Sequence, residues 1–313
     1  MTPQFAKIPE WVDVDPQTFA REILPLGKPA VLRGAVKGWP AVKESREGPP
    51  ALCDYVKKFD LGRPADIYVA EPAVHGRFFY RDDMRGFNFE RRKQTIGAAL
   101  DAILAESMAA EPRAIYLQST PIADHMPAFG RANILPLLHP SIGPRIWIGT
   151  PLVVAAHYDT SDNIACVVAG RRRFTLFPPD QFPNMYVGPL DSTPAGTPVS
   201  MVNIEDPDLE RYPRFAEAVA TGQSAELGPG DAIFIPYMWW HHVRSLERFN
   251  VLVNYWWNDA RPPLASPYDC LLHALLALRD LPENQRAAWR TVFDYYVFQT
   301  SGDPVAHLAP EHR

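Results

Sequence analysis

Leu152-Val153-Val154-Ala155-Ala156-His157-Tyr158-Asp159 is an apolar run that ends in a histidine and, two residues on, a carboxylate. Five small or branched apolar residues in a row read as a strand buried on both faces. Residues two apart on a strand point the same way, so His157 and Asp159 share a face and Tyr158 turns from it. A carboxylate and an imidazole on an apolar inner face are costly unless a metal or partners neutralise them.

A second ligand-bearing stretch lies far downstream. Gly228-Pro229-Gly230-Asp231 forms a turn feeding Ala232-Ile233-Phe234-Ile235-Pro236, and Trp239-Trp240-His241-His242 follows. An H-x-D pair with a distant histidine is the donor set of the 2-His-1-carboxylate triad, which holds Fe(II) on one face and leaves other positions open. Structural zinc prefers a fourth protein ligand. Adjacent strand residues face opposite ways, so only one of His241 and His242 can join the site, and spacing does not choose between them.

Working outward, strand signals dominate from Ala114 to Trp257: Ala114–Gln118, Arg145–Gly149, Val153–His157, Asn163–Ala169, Arg172–Phe177, Asp231–Pro236, His242–Leu246 and Asn250–Trp257. About eight short strands predict a mainly β chain with a double-stranded β-helix core of the jelly-roll or cupin type. Tyr186–Glu226, rich in Pro, Asp and Thr, reads as a long insert that can cover the mouth of the site. We expect three portions: an α/β portion over 1–112 packed on the core, the cupin core over 113–260, and a helical segment over 261–313.

In the first portion Asp15-Pro16 has the character of a helix start, and Thr95 is placed to cap a helix with Ile96, Ala99, Leu100, Ile103 and Leu104 on one stripe. In the last, Tyr268–Leu278 and Pro282–Phe298 read as two apolar helices, which either pack on their own barrel or join two copies.

Bulk properties narrow the function. A formal charge of −5 with no basic block argues against nucleic acid as a partner. Cys53, Cys166 and Cys270 are few, odd in number and far apart, which argues against a disulfide framework, and none lies in a C-x-x-C pair, which excludes a zinc ribbon. The start of the sequence shows no signal-peptide pattern and no window is long enough for a membrane span, so a cytoplasmic protein is expected.

The chain resembles the cupin-like JmjC family of Fe(II)- and 2-oxoglutarate-dependent oxygenases, its asparaginyl hydroxylase branch most of all. The likeness rests on Ile115-Tyr116-Leu117-Gln118, His157-Tyr158-Asp159 through Asn163, Gly170–Gln181, Asp206–Pro213, Gly228–Asp231, Ile235–His242 and Val253-Asn254-Tyr255-Trp256, with Gly27–Arg33 and Gly38-Trp39-Pro40 upstream. The resemblance implies that His157, Asp159 and His241 bind iron and carry the catalysis. It implies that Tyr116, Asn163 and Asn254 contact or support 2-oxoglutarate, that Trp256 lines the metal cavity, and that O2 is the second co-substrate. It also implies a homodimer through the C-terminal helices.

Three positions depart from the pattern. Arg172 stands where a lysine pairs with the distal carboxylate of 2-oxoglutarate, and a guanidinium can do the same through two parallel hydrogen bonds. Val154 stands where a threonine helps hold the co-substrate. Gln118 matches one of two glutamines that grip a target asparagine, but the other position is Met201, so the likeness does not extend to asparagine as target. The expected activity is hydroxylation of a protein side chain or a small molecule. The rival from another class is a metal-binding cupin without turnover, acting as a sensor.

Overall fold

The computed structural model describes residues 3–258 and 266–309. Eight strands make the core, β1 (Pro144–Gly149), β2 (Val153–His157), β3 (Asp162–Ala169), β4 (Arg172–Phe177), β5 (Gln223–Leu227), β6 (Ala232–Ile235), β7 (Trp240–Ser245) and β8 (Asn250–Trp257). They fall into two sheets: β5-β4-β7-β2 in one and β6-β3-β8-β1 in the other. This is the jelly-roll topology expected from the spacing of the apolar runs.

Tight turns make the topology local. Gly170, with φ +73°, sits between β3 and β4, where a Cβ would lie 2.4 Å from Asn250 Oδ1. Gly230, with φ +100°, turns the chain into β6, and the Asp231 carboxylate closes this turn by accepting from the Gly228 amide at 3.2 Å. Asp231 also accepts from Arg33 at 2.7 Å and from the Gly34 amide at 3.0 Å, which ties an N-terminal strand to the core.

The inner faces of the two sheets meet over Ala165, Val167, Phe174, Leu176, Leu227, Ile233 and Leu252. The outer face of β6-β3-β8-β1 is covered as well, by Phe19, Ile23, Leu52, Val56, Ile96 and Ile103 from the first portion. Burial on both faces is why β3 reads as an unbroken apolar run, and Cys166 within it is fully buried, as a small core residue. Strands Ala114–Pro121, Ala65–Ala70 and Glu90–Gln94 extend this sheet beyond β1, and Ala30–Arg33 and Glu10–Val12 extend it beyond β6. Residues 3–258 thus form one compact unit.

The helix starts fall where the capping residues place them. The Asp15 carboxylate accepts from the Thr18 amide at 2.6 Å, and the Thr95 hydroxyl accepts from the Ala98 amide at 3.2 Å, opening the helix Ile96–Ser107.

Three expectations need correction. Gln223–Leu227, read as part of the insert, is a core strand; its Gln-Ser-Ala-Glu-Leu has only one buried side chain and so lacks an apolar signal. The strand Ala114–Gln118 reaches Pro121 and lies beside the core eight rather than among them. β7 begins at Trp240 and not at His242, so both histidines are on the strand.

The second unit runs from Asp259 to Arg313 and holds helices Pro267–Leu278 and Glu283–Tyr296. Ser266 caps the first by accepting from the Tyr268 and Asp269 amides. The expected boundary at 260/261 lies outside the described residues.

Candidate metal centre

β2 and β7 are antiparallel neighbours, and their register sets His157 opposite His241. The two rings lie 4.2 Å apart between centroids. Each is held the same way: His157 Nδ1 donates to the Ala155 carbonyl at 2.9 Å, and His241 Nδ1 donates to the Trp239 carbonyl at 3.1 Å. A carbonyl can only accept, so both Nδ1 atoms carry a proton, and the two Nε2 atoms are the ring nitrogens left for a metal. Burial, joined by the neighbouring His241 ring, holds the pKa of His157 below the ordinary histidine value, which keeps the ring neutral.

Asp159 completes the group. Its Oδ2 lies 3.6 Å from His241 Nε2 and accepts from Trp256 Nε1 at 3.0 Å. One donor atom from each of His157, Asp159 and His241 lies within 4.8 Å of the others. The loop carrying Asp159 is tied to the turn before β7, because the Met238 amide donates to the Asp159 carbonyl at 3.0 Å and the Tyr237 amide to the Asp162 carboxylate at 2.9 Å. The choice the spacing left open is thus made by register: His241 joins the group. His242 is buried on its own account, and desolvation with nearby Arg244 and Arg77 pushes its pKa down to about 3.

A cavity of about 60 Å³ is lined by all three residues of the triad. Tyr116, Asn163, Arg172, Asn254 and Trp256 all line it, together with Val154. Val154 and His157 are three apart, yet face the same space, because β2 carries one extra residue between its pairings with His241 and Val243. Asn163 and Asn254 stand two residues apart on neighbouring strands, and Asn254 Nδ2 donates to Asn163 Oδ1 at 3.2 Å.

Arg172 is 1% exposed, and neither its Nε nor its Nη2 has a hydrogen-bond partner. Burial lowers its pKa from the ordinary guanidinium value, with Tyr116 opposing that shift. Burial in turn pushes the Tyr116 phenol up. The flanking arginines are occupied on the outer face: Arg171 pairs with Glu247 at 2.8 Å and Arg173 with Glu226 at 2.7 Å. A buried guanidinium with two idle nitrogens lining a cavity is a site for an anion, since leaving it unpaired is costly.

A second pocket adjoins the first and shares Tyr116, Trp147, Val154 and His157 with it. Gln118 lines this pocket, as do Phe78 and, from the insert, Pro194 and Val199. Met201 does not; it packs with Ala155 and Val199 and lies under Gly188.

The four tryptophans expected as a cavity wall separate. Trp256 lines the cavity. Trp239 donates to the Gly27 carbonyl at 3.1 Å, Trp240 packs on Tyr158 and Phe182, and Trp257 packs on Phe19 and Phe234. The second cavity tryptophan is Trp147, which sequence reasoning passed over and whose Nε1 donates to Asn254 Oδ1 at 2.7 Å. Its signal was there: Trp147 alternates with Ile146 and Ile148, so it faces opposite to them.

A family model described as a cupin-like domain matches residues 16–261. The chain belongs to the cupin-like domain family. This cupin-like chain is 28% identical over 262 residues to the lysine-specific demethylase JMJ31 of Arabidopsis thaliana, covering 74% of the chain and 46% of that protein. It is 28% identical over 318 residues to the tRNA wybutosine-synthesizing protein 5 of Homo sapiens, covering 91% of the chain and 93% of that protein. It is 31% identical over 147 residues to the human HSPB1-associated protein 1, covering 45% of the chain and 30% of that protein. The chain thus spans less than half the length of the plant demethylase. These relatives bear out the likeness to JmjC-type proteins. Among the described residues no helix is long and apolar enough to cross a membrane.

Proposed function

We propose that the chain is an Fe(II)- and 2-oxoglutarate-dependent oxygenase that hydroxylates a C–H bond of a protein side chain or a small molecule. The observation that carries this reading is one cavity lined both by the His157, Asp159 and His241 donors and by Arg172, whose Nε and Nη2 are idle. The donor set fits iron: two imidazoles and one carboxylate, with space left beside them. The orphaned Arg172 nitrogens fit the distal carboxylate of 2-oxoglutarate.

Bound iron would supply the oxidative decarboxylation of 2-oxoglutarate and the oxidation of the substrate that is coupled to it. The protein's part is positional. The Ala155 and Trp239 carbonyls fix the two rings and their tautomers, and Trp256 fixes the Asp159 carboxylate. Phe174, Ile235, Val243 and Leu252 line the same cavity and keep water from the reacting atoms.

The relatives support the reading through their names, a demethylase and a tRNA-modifying protein. The test is succinate formation with Fe(II) and 2-oxoglutarate under air, for wild type, His157→Ala and Asp159→Ala. Turnover in the wild type alone is the expected result. A wild type that binds iron and 2-oxoglutarate but never turns over with any substrate would favour a binding cupin; one that binds no iron would refute the proposal.

We further propose a homodimer through the C-terminal helices. Leu276, Trp289, Val292, Tyr296, Val297 and Phe298 are all exposed in that unit, and neither helix has a buried residue.

A further inference from the structure

Arg145 lies on β1, directly opposite Asn254 of β8, as Trp147 lies opposite Leu252. Opposed residues of an antiparallel pair share a face. Trp147, Leu252 and Asn254 all line the metal cavity, so Arg145 belongs to the inner face of the barrel and not to its solvent face. Its guanidinium lies 5.7 Å from the centre of the Trp256 ring, whose indole N–H holds Asp159. The residue is half-buried, and among the described residues its guanidinium has no ion pair and no hydrogen bond. Arg33, Arg92, Arg113, Arg171, Arg173 and Arg244, by contrast, each pair with a carboxylate.

The strand on the other side of β1 is distorted at the same level. Between Leu117 and Thr120 its register with β1 slips, and Ser119 takes φ 47°. Bulges next to sites re-aim side chains. This one brings Gln118 into the second pocket, whose other walls are Tyr68, Phe78, Tyr116, Trp147, the neutral His157 ring and small apolar residues, with no charged side chain. The approach to the triad therefore combines a neutral pocket with the guanidinium of Arg145, which has no ion pair.

We infer that the substrate of this site bears a carboxylate that the Arg145 guanidinium receives, while a neutral, mainly apolar part of the same molecule enters the second pocket beside His157. The inference rests on the oxygenase reading and names the substrate class for it. The planar fork of arginine matches a carboxylate through two parallel hydrogen bonds. A polyanion such as nucleic acid fits less well, because the chain as a whole carries a formal charge of −5. The carboxylate can come from an acidic side chain of a peptide or from a small acid.

The experiment uses the full chain loaded anaerobically with Mn(II) and 2-oxoglutarate, and reads binding rather than turnover. In one arm an immobilised random peptide library is probed with wild type, Arg145→Gln and Arg145→Glu. In the other, N-acetyl-leucine is compared with N-acetyl-leucinamide by tryptophan fluorescence.

A peptide source gives library binders enriched about tenfold in Asp and Glu; the enrichment disappears in Arg145→Gln and turns to Lys and Arg in Arg145→Glu. A small-acid source gives the free acid at least about tenfold tighter than the amide, again only with Arg145 or with Arg145→Lys, the variant that keeps the charge if Arg145→Gln does not fold. Equal charge preference in wild type and Arg145→Gln in both arms, or no preference in either, overturns the inference. Failure of the wild type to bind Mn(II) overturns instead the oxygenase reading on which it stands.

Discussion

His157 and His241 face each other across β2 and β7 with their ring centres 4.2 Å apart, and each ring is pinned through Nδ1 to the carbonyl two residues before it. The symmetry has a simple origin. Both histidines sit on strands next to a break in regular pairing, where the carbonyl two residues back is within reach of the ring. The result is a pair of Nε2 atoms held in place before any metal arrives.

Trp256 should act on the metal through Asp159. Trp256→Phe removes the indole N–H that Asp159 Oδ2 accepts at 3.0 Å while keeping an aromatic ring. Loss of such an outer partner weakens metal affinity by about 10- to 100-fold. Anaerobic titration with Fe(II) or Mn(II) measures it, and wild-type affinity in the variant would show that the indole does not orient the carboxylate.

Arg172 should separate binding from stability. Arg172→Met deletes a buried charge whose Nε and Nη2 are idle, and replacing such a charge with an apolar side chain of similar length is neutral or stabilising. The ligand-free variant should therefore melt no lower than wild type. Its 2-oxoglutarate affinity should fall by about 10- to 100-fold, from about 1.5–3 kcal/mol for hydrogen bonds to a charged group. In a melting experiment 2-oxoglutarate with Mn(II) should raise the Tm of wild type but barely move that of the variant. An unchanged affinity would remove Arg172 from the co-substrate site.

Phe234 tests the wall between the barrel and the helices. It is fully buried, meets Phe19 edge-on at 5.5 Å and stacks on Trp257 at 6.1 Å. Phe234→Ala should cost about 3–5 kcal/mol of unfolding free energy in a denaturant titration. A loss under about 1 kcal/mol would mean that the site collapses easily around the cavity.

The C-terminal helices should set the oligomeric state. Leu271, Leu275, Trp289 and Phe293 line one apolar groove of this unit. Leu275→Glu with Trp289→Glu should halve the solution mass measured by light scattering while the far-ultraviolet dichroism is retained. A wild type that is already monomeric, or a double variant that stays dimeric, would rule out these helices as the interface.

Much of this was legible in the residues. Strands buried on both faces must be apolar throughout, so β3 and β6 announce themselves; Gly230 and Asp231 announce the turn between β5 and β6; Asp15 and Thr95 announce helix starts through the bonds they make to free amides. The H-x-D pair and the strand-borne histidines announce a metal site through the cost of burying such groups unpaired. What the residues determine is local: periodicity, caps, turns, and the two halves of a donor set.

Only the tertiary structure decided what depends on register between distant segments. It set His241, not His242, across from His157; it turned Val154 into the cavity by one extra residue in β2; it gave the jelly roll the weakly apolar strand Gln223–Leu227, which takes its place by pairing with β4. It parted the four tryptophans and put Trp147 and Arg145 on the inner face. Strand pairing fixes which faces meet, and a shift of one residue reverses every side chain, so neighbours across a sheet follow from the whole fold rather than from any stretch of chain.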